Sequence, residues 1–395
     1  MAEHLKRRIG LGLLTAYGVG VMVGAGIYVL VGAVAGEAGI WAPVAFLLAG
    51  LVAAPTALSY SEFATRIPEA AGEAAYVGTA LRRQALAVLV GLAIVAAGTV
   101  SAAAVLRGGV GYLTVVLDVP AIWAIIGIGA ILTGVAVFGV MESLALAAVF
   151  TVIELLGLAL VIWAGTRAPV SVDWTAMAPP LWAGIGAGAT LAFFAFIGFE
   201  DIVNMAEEVS EPERTLPRAI LISLVITTLI YALVTWATVR AVPLSALAQS
   251  EKPLALVWQA GMGGQGRFLS TIAVFAALNG VLAQIVMASR VLYGLGKRSP
   301  ALQVFHHAHP RTGTPVLATL LVGGAVVAGA LLLNVGLLAG VTSTILLGVF
   351  VIVNLSLIVL KRREPDAPFR VPMVVPVLGL CLALMALALN IGVHP

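Results

Sequence analysis

Three carboxylates stand where carboxylates are expensive. Glu154 lies midway along the apolar run FTVIELLGLALVI, and Glu200 and Asp201 directly follow FFAFIGF. At bilayer depth an acid persists only when paired, protonated or wet, so each is a functional candidate by default. Reversible proton binding is the chemistry open to such a group. For Glu154 the plain alternative is a structural acid bonded to a backbone carbonyl. Glu200 and Asp201 are adjacent, so they point about 100° apart on a helix and cannot both face one ligand. A hydrogen bond to a neighbouring helix is the simple reading of Asp201. No nucleophile–base set or pair of metal ligands occurs inside the apolar runs, so an enzyme is not expected. His306, His307 and His309 lack acidic or cysteine partners nearby, and no metal or other cofactor is expected from them.

The backbone carries a second signal. Gly24-Ala25-Gly26 interrupts the first apolar run, and Ile197-Gly198-Phe199-Glu200 interrupts another about 170 residues later. A helix in lipid keeps its backbone hydrogen bonds to itself, so a break at that depth is tolerated only where it lines a cavity. Paired breaks in two halves of one chain point to an inverted-repeat secondary transporter. The helix end after the first break presents the N–H groups of Ala25, Gly26 and Ile27, which attract a carboxylate. Glycine at 24 and 26 lets a ligand approach the backbone closely. Carbonyls near Met22, and near Phe194, Ala195 and Ile197, suit an ammonium group. Together these ends fit an α-amino acid zwitterion. The competing reading makes the glycines close-packing residues between helices.

The elements that position these groups are apolar spans. The 395-residue chain is 61% hydrophobic and 10% charged, with a mean hydropathy of +1.11. No soluble domain has that composition. Eleven spans are predicted, at roughly 9–36, 40–64, 84–112, 121–140, 143–166, 182–208, 215–240, 267–296, 315–334, 339–361 and 372–391. The first is read as uncleaved, since it is too long for a signal peptide. With the N-terminus inside, only Arg107, Arg167, Arg240, Lys252 and Arg267 of the 21 Lys and Arg residues face outward. The N-terminus is therefore expected in the cytoplasm, and an odd span number puts the C-terminus outside. Topology accounts for the basic residues, so the formal charge of +3 implies no nucleic-acid partner. A single cysteine, Cys381, excludes an internal disulfide. The outer loop at about 241–266 has room for a short amphipathic helix.

Four segments carry a family resemblance. GAGIY (Gly24 to Tyr28) resembles the helix 1 break of the amino acid–polyamine–organocation (APC) permeases. FFAFIGFEDIVNMAEE (Phe193 to Glu208) with PERTLPRAI (Pro212 to Ile220) resembles that family's helix 6 and its cytoplasmic exit. RIPEAAGEAAY (Arg66 to Tyr76) looks like its first inner loop, and SRVLYGLGKRSPALQVFHHAHPRTGTP (Ser289 to Pro315) like the loop after helix 8. The four stand in the family's order, and the bacterial cationic-amino-acid-transporter-like branch is nearest in flavour. The resemblance implies an all-α integral membrane protein with a leucine-transporter-like 5+5 inverted repeat, helices 1 and 6 broken. It makes one transporter domain of residues 1–395, with repeats at about 9–166 and 182–361 and an extra helix at about 372–391. Most relatives have twelve spans; the missing one belongs to neither repeat and bears on oligomer contacts, which the sequence leaves open.

The resemblance also assigns roles. It implies an amino acid carried across a prokaryotic plasma (inner) membrane, with the lipid bilayer as surroundings and the substrate at the two breaks. Phe194 would close over the substrate from outside. Glu200 matches a position that contacts substrate or a coupling proton. Glu154 falls where some proton-coupled relatives carry a lysine that stands in for sodium, and a glutamate there would bind a proton, bond helix 1 or select a cationic substrate. The corresponding sodium site uses helix 8 hydroxyls, but AVFAALNGVLAQ (Ala273 to Gln284) has none. Proton-driven symport is thus expected and sodium disfavoured. Asn279 would line the cavity or bond another helix. Glu62, Arg66, Glu207, Glu208 and Arg290 would form an inner gate of ion pairs, or else a solvated charged ring. Gly98, Ala102 and Ala103 hint at room for a side chain on helix 3. The alternatives are an uncoupled amino acid exchanger, a polyamine carrier, a channel or an amino acid sensor.

Overall fold

A computed structural model describes residues 8–69, 72–172, 180–250, 252–264 and 267–393. Lys6 and Arg7, two of the basic residues that the predicted topology puts inside, lie outside the described residues. So do the side chains of Ala25 and Phe194. Among the described residues the regular secondary structure is all helical, apart from one isolated bridge between Ile9 and Val209. Its α-helices are α1 (Leu11–Ala38), α2 (Ala42–Arg66), α3 (Gly72–Leu81), α4 (Gln84–Val116), α5 (Ala121–Phe138), α6 (Val140–Arg167) and α7 (Trp182–Phe193). They continue as α8 (Pro212–Ala241), α9 (Leu244–Ala248), α10 (Pro253–Met262), α11 (Arg267–Arg298), α12 (Val316–Leu332), α13 (Val335–Arg363) and α14 (Val374–Val393). Among the described residues, eight helices are long and apolar enough to cross a membrane. Three shorter apolar helices, Trp182–Phe193, Val316–Leu332 and Val374–Leu389, fall on predicted spans 6, 9 and 11.

Local signals set the helix ends. Proline opens α8 and α10, where its missing N–H costs no helical bond. Asn334 caps α13 by accepting from the Leu337 N–H at 2.8 Å. Buried hydroxyls turn back on their own helix: Ser61 donates to the Ala57 carbonyl at 2.9 Å, and Thr238 to Val234 at 2.8 Å. The loop at about 241–266 holds two short helices among its described residues, α9 and α10, rather than one. α10 buries Leu254 and Val257 against the protein.

Many large apolar side chains lie on the outside of the molecule. Leu51, Trp123, Phe138, Leu181, Trp182 and Leu332 are all strongly exposed. A surface of that kind suits lipid rather than water. Inside, α1 packs against α2, α6, α7, α8 and α11, so the first predicted break sits at the centre of the bundle.

Candidate functional site

The two breaks meet. Within α1 the backbone leaves helical geometry at Gly24. Gly24 is buried, yet a Cβ built on it would meet no heavy atom within 4 Å, so space opens beside the break. After α7 the chain tightens into a 3-10 turn at Phe194–Phe196, turns at Ile197 and Gly198, and continues as a 3-10 segment over Phe199–Glu208. Gly198 has φ of 127°, a conformation that side chains disfavour. A Cβ there would also lie 2.8 Å from Val21 Cγ1 and 3.3 Å from the Met22 nitrogen. Gly26 faces the same contact from the other side, its Cβ position 3.5 Å from Ala195 Cα. Glycine is thus required at 198 by both conformation and contact, and helix 6 turns directly upon helix 1.

Two carbonyls expected to be bare are occupied. The Tyr231 hydroxyl, from α8, lies 2.5 Å from the Met22 carbonyl oxygen and 3.0 Å from that of Ala195. Tyr231 is fully buried, held edge-on by Phe46 and Phe196 at ring separations of 5.5 and 5.2 Å. A buried carbonyl at a broken helix needs a donor, and the single proton of this hydroxyl can go to either carbonyl. Sequence reasoning missed Tyr231. Its partners are backbone atoms on other helices, which leave no mark on the surrounding residues.

Behind the helix 1 break, α1, α6 and α11 converge on a polar knot. The Asn279 amide donates to Thr151 Oγ1 at 3.1 Å, and Thr151 in turn donates to the carbonyl of Ala147 at 2.9 Å or of Ala16 at 3.2 Å. Gly20 permits the junction, since its Cβ position is 2.5 Å from Asn279 Nδ2. Asn279 therefore bonds another helix. One turn beyond Thr151, Glu154 is fully buried, and neither carboxyl oxygen has a hydrogen-bond partner among the described residues. The Asn279 amide stands next to it, short of a complete bond. The hydroxyls of Tyr28 and Tyr231 are close enough to sense its charge. No cation pairs with Glu154 among the described residues.

Glu200 and Asp201 do diverge. Glu200 folds back so that Oε2 accepts from the Gly198 N–H at 2.8 Å, capping the break in helix 6. Asp201 Oδ2 accepts from Gln284 of α11. Both are buried. Ile197 is half-buried at the turn itself.

The charges expected at an inner gate fall into two separate groups. Arg290 pairs with Glu208, Nε to Oε1 at 3.0 Å, both essentially inaccessible. Glu62 and Arg66 belong to a separate knot, with Arg66 Nη2 2.7 Å from Glu62 Oε1. Lys361 of α13 completes that knot at 2.7 Å from Glu62 Oε2, which also accepts from the Val371 N–H at 2.8 Å. Burial drives both pairings, since a charge removed from water must find its counter-charge. These charges therefore make two buried ion-pair groups rather than a solvated ring, and Lys361 joins one of them. Room on helix 3 is also corrected. A Cβ at Gly98 would strike Met287 Cε at 2.6 Å and Gln284 Oε1 at 2.8 Å. Ala103 faces Gly329 of α12. These small residues pack helices.

A family profile described as amino acid permease matches residues 9–395. The chain belongs to that family. It is thus a permease of the APC superfamily and a multi-pass membrane protein, in a class of transporters rather than enzymes. A branched-chain amino acid permease of Bacillus subtilis is 27% identical over 99% of this chain and 89% of its own length. The vacuolar cationic amino acid transporter 4 of Arabidopsis thaliana is 30% identical over 82% of this chain. A methylthioribose transporter of Bacillus subtilis is 27% identical over 87% of this chain and 79% of its own length. The chain spans 58% of the plant transporter, against most of both bacterial relatives.

Proposed function

We propose that this permease carries amino acids across a prokaryotic plasma membrane by alternating access. In this reading α1, α2, α4, α5 and α6 form one half of a leucine-transporter-like inverted repeat. The second half runs from α7 through α8, α11 and α12 to α13, with α14 outside both. That gives eleven spans, the N-terminus in the cytoplasm and the C-terminus outside. The observation that carries the reading is the meeting of the two breaks, Gly26 against Ala195, with Tyr231 bridging the carbonyls of Met22 and Ala195.

The substrate's carboxylate binds the N–H groups of Ala25, Gly26 and Ile27, where the helix end is partly positive. Its ammonium takes the carbonyls that Tyr231 holds in the ligand-free protein. Glu154 is the coupling group: buried, without a cation partner, and beside the helix 1 break, it is neutral when protonated and destabilising when bare. A proton entering with the substrate resolves that cost. Glu200 is a second candidate for the proton, and sodium is not the driving ion. Branched-chain and cationic side chains are the first substrates to try, given the bacterial permease and the plant transporter.

The test is uptake by the purified protein in liposomes, using a panel of labelled amino acids, polyamines and methylthioribose. Saturable uptake of an α-amino acid, competed by its own unlabelled form and not by its decarboxylated amine, supports the reading. Uptake that ignores the α-carboxylate would overturn it.

A further inference from the structure

One more buried carboxyl lies outside the site described so far. Glu73 is on α3, the short helix between the second and third spans. It is fully buried, and neither Oε1 nor Oε2 has a hydrogen-bond partner among the described residues. Three further buried atoms nearby are also unpartnered: Tyr60 Oη of α2, Tyr76 Oη of α3 and Asn204 Nδ2 of the 199–208 segment. The Asn204 amide and Tyr60 hydroxyl stand next to the Glu73 carboxyl, short of complete bonds. The Gly72 N–H donates to Asn204 Oδ1 at 3.1 Å, which fixes the start of α3 upon helix 6. The Tyr60 ring meets Tyr76 at 6.2 Å and Phe199 at 5.8 Å, both edge-on. Tyr60 thus stands between Glu73 and the helix 6 break.

No cation pairs with Glu73 among the described residues. From α13, Lys361 is held by Glu62, and Arg363 donates to the Ala80 carbonyl at the far end of α3. From α11, Arg290 is held by Glu208 and Arg298 by Glu69. Arg82 and Arg83, ahead of α4, are exposed. The remaining titratable neighbours are Tyr60 and Tyr76, and on helix 6 the like-charged Glu200 and Asp201. Burial raises the Glu73 pKa to about 8, its own backbone amide opposes this, and the charge of Glu200 adds to the rise.

We propose that Glu73 carries an exchangeable proton at the inner face and serves as the release group of the transport cycle. The Glu200 carboxyl gives up its O–H proton past Tyr60 to the Glu73 carboxylate. Glu73 then yields it to cytoplasmic water when α3 and helix 6 part. This rests on the proton-coupled reading above, in the form that gives the transported proton to Glu200, the second candidate named there. It adds a residue on the cytoplasmic side whose only visible asset is an uncompensated charge site beside Glu200.

Two measurements separate the claims. The first is apparent Tm of purified protein against pH, for wild type, Glu73→Gln and Glu73→Asp. A carboxyl whose pKa is raised on folding loses stability as pH climbs from the unfolded pKa towards the folded one. Wild type should therefore lose Tm between about pH 5 and about pH 8 relative to Glu73→Gln, and Glu73→Asp should retain that loss. Parallel wild-type and Glu73→Gln profiles would overturn the proposal, whatever the transport result. The second is efflux from liposomes of varied internal pH. Wild-type rate should change several-fold with internal pH, and Glu73→Gln should lose that dependence while still exchanging amino acid at matched pH. An unchanged internal-pH dependence in Glu73→Gln would also overturn it. Within the first measurement, infrared difference spectra of wild type against Glu73→Gln across the same pH range assign the group. A titrating protonated-carboxyl band present in wild type and missing in Glu73→Gln supports the proposal, and identical spectra contradict it.

Discussion

The Tyr231 hydroxyl stands 2.5 Å from the carbonyl oxygen of Met22. That carbonyl ends the first half of helix 1, and the same hydroxyl reaches Ala195 on helix 6 at 3.0 Å. One side chain therefore reaches both broken helices and lies at the carbonyls to which the proposed function assigns the substrate's ammonium. In that proposal, substrate and hydroxyl are alternative partners for one pair of carbonyls.

Removing that hydroxyl separates the two roles. Tyr231→Phe leaves buried carbonyls without a donor, which costs about 1–3 kcal/mol in the ligand-free protein. Saturating amino acid restores a donor and should narrow the gap. Thermal unfolding with and without substrate reads both effects. An unchanged Tm in the empty protein would show that the hydroxyl has no stabilising part.

Gly198→Ala tests the close contact of the breaks. Its φ of 127° and the 2.8 Å approach to Val21 Cγ1 leave no room for a methyl group. The strain is about 1–3 kcal/mol, and any relief moves helix 6 away from Met22. Uptake should fall about a hundredfold while the protein still elutes as a folded species in detergent. Normal uptake would mean that the breaks need not touch.

The Glu208–Arg290 pair, 3.0 Å apart and inaccessible, should show the asymmetry of buried charges. Arg290→Met strands a buried carboxylate and should cost about 3–5 kcal/mol. Combining it with Glu208→Leu should recover most of that loss. A Tm for the double variant no higher than for the single one would deny the coupling.

Much of this architecture was visible in the sequence, because apolar runs must match the bilayer and breaks within them need glycine. Gly24 and Gly198 were found that way, as was Glu154, conspicuous as an acid among leucines. Contacts between helices were harder to read. Tyr231, Thr151 and Lys361 work through the rotation of one helix against another, which hydropathy does not encode. Gly98 looked like open space because its neighbours Met287 and Gln284 lie almost two hundred positions away in sequence. Glu73 sat inside an inner-loop motif that resemblance already accounted for, so its burial passed unnoticed.

The central claim is that Glu154 couples amino acid movement to protons. The direct measurement is accumulation of a transported amino acid in liposomes under an inward proton gradient or an inward sodium gradient, for wild type and Glu154→Gln side by side. The account predicts accumulation by wild type with protons alone, and exchange without accumulation by Glu154→Gln. Equal, gradient-independent exchange by both proteins would contradict it, leaving Glu154 a structural acid and the permease an exchanger.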